Sequence, residues 1–114
     1  MTPADTLRAA VDRLRELADA APEPPWTEDG VGDIGFGVAM GGGRGVDTGD
    51  DGPDGRAVAQ YIAAMHPGVA TALAKWLEVE AAQPLTAQHG PRCTADCTTT
   101  AALTVARRIL GSTA

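Results

Sequence analysis

Eleven of the chain's 14 glycines fall between residues 30 and 55, and this clustering constrains the fold more than any other feature of the sequence. Glycine in a helix interior costs about 1 kcal/mol relative to alanine, so a segment this rich in it cannot be helical. Within it, Ile34, Phe36 and Val38 alternate with Gly35 and Gly37. That period of two predicts a short strand burying one face. Val46 fits a returning strand, with Gly41-Gly42-Gly43 as the turn. Residues 26–47 therefore read as a small glycine-rich β-hairpin, followed by an acidic, mobile loop over 48–55.

The flanking regions carry helical periodicity instead. Thr2-Pro3-Ala4-Asp5 is a helix start: threonine can cap, proline at the first helical position loses no needed donor, and Asp5 sits three residues after the cap. Leu7, Ala10, Val11, Leu14, Leu17 and Ala18 then recur on one face, predicting a helix over 1–21 that Pro22, Pro24 and Pro25 end. A second helix starts near Asp54, read as its cap, with Val58, Tyr61, Ile62 and Met65 as the inward stripe. Pro67 cannot donate to a continuing helical ladder and disfavours helical geometry at His66, so the helix over 56–83 breaks there and restarts. Val69, Leu73, Trp76 and Leu77 form the stripe of the second piece. A last helix spans 98–110, with Ala102, Val105, Ala106 and Ile109 inward and Gly111 as its stop. The expectation is one small α+β domain over 1–114, with three to four helices and the central one broken at Pro67.

Net charge is −6, unevenly placed: residues 1–55 hold 12 acidic and four basic groups, residues 56–114 three and five. No lysine–arginine cluster exists to displace counterions from phosphates, so nucleic acid is not an expected partner. The first thirty residues lack the basic start and unbroken apolar run of a signal peptide, and no window approaches a membrane span. A cytoplasmic protein is expected, with no membrane partner. Much of the apolar content is alanine and only four residues are aromatic, so the core is modest. A protein partner or a homo-oligomer sharing apolar helix faces follows from that thinness.

Three patterns invite chemistry. Gly30-Val31-Gly32-Asp33-Ile34-Gly35 matches G-x-G-x-x-G by letter, but Pro24-Pro25-Trp26 precedes it and more glycine follows, so the strand and helix that a dinucleotide site requires are not expected. Asp47-Thr48-Gly49-Asp50-Asp51-Gly52 resembles a calcium loop but has Gly49 at the third ligand position and Val58 at the twelfth. His89, Cys93 and Cys97 are suitable zinc ligands within nine residues, and His66 at the helix break is the best fourth, with Asp96 next. The spacing is not that of a C-x-x-C knuckle, so unliganded cysteines are the plainer account, and a reducing cytoplasm disfavours a Cys93–Cys97 disulfide. Structural zinc is the only cofactor the residues suggest. The only serine is Ser112, no oxyanion-hole pattern accompanies the Cys–His pairs, and no catalytic residue is assigned. Tyr61 and Trp76 are the candidate interface residues, although helical spacing among leucine and isoleucine accounts for each as core.

Residues 56–82 carry one resemblance. Ala59, Tyr61, Ile62, Ala63, Ala64, Pro67, Val69, Ala70, Ala72, Leu73, Ala74, Trp76 and Leu77 follow the form A-x-Y-I-A-A-x-x-P-x-V-A-x-A-L-A-x-W-L. Pro25-Trp26 before the hairpin and the Ala102–Leu110 helix complete the plan. The block resembles small uncharacterised proteins of actinobacteria and their phages, and is distantly similar to the Ead-like accessory early proteins of phages. The resemblance transfers no biochemical activity; the expectation is a non-enzymatic accessory or regulatory protein that acts by binding another protein, of phage or prophage type.

Overall fold

The computed structural model describes residues 2–83 and 98–111. Among them are four helices, α1 (Pro3–Ala20), α2 (Pro53–Ala64), α3 (Pro67–Ala81) and α4 (Thr98–Ile109), and three strands, β1 (Thr27–Gly32), β2 (Gly35–Ala39) and β3 (Gly45–Asp47). The strands form one antiparallel sheet in the order β1-β2-β3. The fold is α+β, as the periodicities predict, and the central helix is interrupted at Met65-His66. No helix among the described residues is long and apolar enough to cross a membrane.

The chain divides into two compact units, Met1–Leu17 with Thr71–Ala114, and Ala18–Ala70. The first is helical. Its entry is the expected capping box: the Asp5 amide donates to Thr2 Oγ1 and the Thr2 amide to Asp5 Oδ2, both at 3.1 Å. Leu7, Ala10, Val11 and Leu14 of α1, Ala74, Leu77 and Ala81 of α3, and Ala102, Leu103 and Ala106 of α4 supply the core. Half of these are alanine, which lets helix backbones approach closely while burying little area each. Leu7 and Leu77 are the large side chains fully enclosed there. Leu17 is exposed, contrary to expectation: the buried stripe of α1 ends at Leu14. Thr99, only 3% exposed, donates its hydroxyl to Glu80 Oε2 at 3.4 Å, so the unit's buried hydroxyl has a partner. Arg15 donates to Glu78 Oε2 at 2.9 Å and Lys75 to Oε1 at 3.3 Å, which holds the Glu78 carboxyl below the usual carboxylate range.

The second unit holds the sheet and α2. The predicted hairpin corresponds to β2 and β3, joined by a 3₁₀ turn over Gly41–Gly43. The sequence reading missed β1, whose Thr27-Glu-Asp-Gly-Val-Gly32 shows no clean alternation because a bulge at Asp29-Gly30 breaks its register. Gly30 has φ +88° there, and its amide donates to Glu28 Oε2 at 2.7 Å. Ile34 does not share a buried face with Phe36 and Val38. It sits in the tight turn between β1 and β2, 66% exposed, because Gly32 already pairs with Gly35.

The Asp47–Gly55 segment is tied down rather than loose. The Phe36 amide donates to the Asp50 carbonyl at 3.0 Å, and the Thr48 amide returns to the Phe36 carbonyl at 2.8 Å. Asp50 Oδ1 accepts the Gly52 amide at 2.8 Å. Asp54 is not the cap of α2. The helix begins from Gly52 without a side-chain cap, with Pro53 at its first position and Asp54 in the first turn.

Candidate functional site

The seating of α2 decides which of its residues remain available. Helix and sheet meet through β1 and β2, and the α2 residues buried there are Gly55 and Ala59. A β-carbon at Gly55 would stand 2.8 Å from the Asp50 carbonyl carbon, so a larger residue cannot occupy that place. Beside this contact, Arg56 lies over the Phe36 ring at 5.3 Å and donates from Nε to Glu28 Oε1 at 3.2 Å. The two Glu28 oxygens thus serve separate tasks, one on the bulge and one on the helix. No local pattern in the sequence announces the Glu28–Arg56 pair.

Because small residues make the contact, the large ones face away. Val58, Tyr61 and Met65 were expected to be the inward stripe and are instead 50%, 70% and 47% exposed, with Ile62 half-buried at their margin. Spacings of three and four residues place Val58, Tyr61 and the C-cap Met65 on one side of the helix. Asp54, one turn before Val58, shares it and is also exposed. Single exposed apolar residues are ordinary, but three large ones in line along a helix form a surface fit for contact. Trp76, the other candidate interface residue, is half-buried on α3.

Of the candidate zinc ligands, His89, Cys93 and Cys97 lie outside the described residues, as does Asp96. His66 is described, and it already has work: its Nδ1 accepts the Gly68 amide at 3.1 Å, while its carbonyl accepts the Val69 amide at 2.9 Å. It caps α3 in the manner of an N-cap side chain, and an imidazole accepting at Nδ1 carries its proton on Nε2. Gly68 makes the arrangement feasible, since a β-carbon there would lie 2.7 Å from His66 Cε1. Among the described residues no three His, Cys, Asp or Glu side chains converge as a metal site.

The letter match to G-x-G-x-x-G resolves into strand, turn and strand: Gly30 and Gly32 close β1 and Gly35 opens β2, with no helix N-terminus to receive a phosphate. An open depression of about 520 Å³ lies on the sheet, lined in part by Gly37, Met40, Arg44, Val46 and Asp47. Every buried side-chain nitrogen and oxygen among the described residues has a hydrogen-bond partner, so no orphaned polar group points into it. The exposed face of α2 is the feature with a chemical character of its own. Compared with family models, curated proteins and solved structures, the chain matches none of them.

Proposed function

We propose that this chain is a non-enzymatic accessory or regulatory protein that acts by binding another protein, of the phage or prophage kind that the block over residues 56–82 resembles. The observation that carries the reading is the line of Val58 and Tyr61 on α2 and Met65 at its C-cap, all left outward. Tyrosine is among the residues enriched in interface hot spots, and an exposed one on a helix offers a large apolar ring with a polar tip. The helix is held by Gly55, Ala59 and the Arg56–Glu28 pair, so these three side chains make little contribution to folding.

The test is affinity capture from the source cell with wild-type bait and with a Tyr61→Ala, Met65→Ala double variant. A specific partner retained by the first and lost from the second, at unchanged melting temperature, supports the reading. Identical captured sets overturn it. The alternative, a small structural-zinc domain using His89, Cys93 and Cys97, requires one equivalent of zinc in purified protein and a large loss of melting temperature in Cys93→Ser.

A further inference from the structure

We infer that the partner segment docking on α2 is a cationic amphipathic helix, its apolar side chains on Val58, Tyr61 and Met65 and a basic side chain opposite Asp54. The inference rests on the protein-binding reading above and adds the chemistry of the partner.

Charge complementarity carries it. Residues 18–70, the unit that contains α2, hold nine acidic and two basic side chains, a net charge of −7, whereas the rest of the chain holds six and seven. Of the two basic groups, Arg56 is engaged by Glu28, which leaves Arg44. The apolar line on α2 therefore emerges from the most acidic part of the molecule, and Asp54 stands on the same face, with Asp51 exposed just before the helix. A second copy presenting the same face would bring two units of −7 together. That repulsion opposes a symmetric dimer through this face at low salt. An acidic partner meets the same field, and an uncharged apolar segment gains nothing from it. A segment with leucine-like residues on one side and lysine or arginine on its flanks satisfies both the stripe and the field.

The experiment measures binding of a fluorescent leucine–lysine amphipathic peptide, and of the same peptide with glutamate for lysine, to the full chain by anisotropy. Oligomeric state of the protein alone is followed by light scattering. The lysine peptide binds, and the glutamate peptide does not. Tyr61→Ala weakens binding by about tenfold or more, the loss typical of a central aromatic contact. Asp54→Asn weakens it by about threefold and flattens its dependence on salt up to about 150 mM. Binding that Tyr61→Ala leaves untouched, equal binding of both peptides, or binding of neither overturns the inference. So does a dimer of the protein alone that Tyr61→Ala dissolves, because the occupant is then a second copy. If the cellular partner is lost with Tyr61→Ala, Met65→Ala while the lysine peptide fails, the partner chemistry is wrong and the protein-binding function stands. If neither responds to the substitutions, both are wrong.

Discussion

Gly35 on β2 and Gly55 on α2 close on the same peptide group: a β-carbon built on either would stand 2.8 Å from the carbonyl carbon of Asp50. That carbonyl also accepts the Phe36 amide and the Thr48 hydroxyl. The meeting of strand, connection and helix therefore depends on two places where a side chain is missing.

Gly55→Ala opposes two known effects. Alanine in a helix interior is favoured over glycine by about 1 kcal/mol, whereas forcing a methyl group against fixed backbone costs about 1–3 kcal/mol. The Asp50 carbonyl has no flexible end to yield, so the clash wins and urea unfolding shows a net loss of about 1 kcal/mol. A gain in stability would mean that the helix does not sit against Asp50. Gly35→Ala is worse, since Gly35 also has φ +106°.

Val38 is the large side chain fully enclosed in the Ala18–Ala70 unit. Val38→Ala is expected to cost about 2 kcal/mol in chemical denaturation, from lost burial and the space left behind. Val58→Ala on the outward face is expected to stay within about 0.5 kcal/mol of wild type. Equal losses at the two positions would contradict the placement of α2.

His66 tests the cap. His66→Ala removes the acceptor for the Gly68 amide and is expected to lower stability by about 1 kcal/mol, while His66→Asn, which offers an amide oxygen, recovers most of it. Gly68→Ala displaces the imidazole and gives a loss similar to His66→Ala. If His66→Asn is as damaging as alanine and zinc content falls with it, the histidine serves a metal rather than the helix.

Acid sensitivity follows from two lowered carboxyls. Asp5 is lowered chiefly by the Thr2 amide, and Glu78 chiefly by Arg15 and then Lys75. A carboxyl lowered in the folded state adds stability above its unfolded value and loses it as pH falls through the folded one. The acid limb of the stability profile should therefore shallow in Asp5→Asn and in Glu78→Gln. Both groups are exposed, so the difference is small; high salt screens the Arg15 and Lys75 charges and reduces it for Glu78→Gln, whereas the Thr2 hydrogen bonds to Asp5 are less affected. A slope unchanged at low salt would show that neither interaction persists in solution.

What the sequence revealed follows from the range of the forces involved. The Thr2–Asp5 capping box, the break before Pro67 and the β2–β3 pair depend on neighbours a few residues away, and all were legible. The facing of α2 was not. Periodicity places Val58, Tyr61 and Met65 on one face, but whether that face turns inward depends on how near the sheet and the Asp50 carbonyl approach. Within the helix the only hint is the pair of small residues, Gly55 and Ala59, one turn apart on the other face. Glu28 and Arg56, like Arg15 and Glu78, are joined only by the tertiary fold. Tyr61, for which periodicity favoured the core, is 70% exposed, so its side chain remains available for contact.

The seating of α2 on Gly55 and Ala59 separates two duties that most amphipathic helices combine. Its inner edge is confined to residues with almost nothing to vary, while its outer edge is released from folding. Under the proposed binding role, substitutions at positions 58, 61 and 65 would alter which partner is recognised without disturbing the scaffold. A binding surface built this way can be retuned one residue at a time.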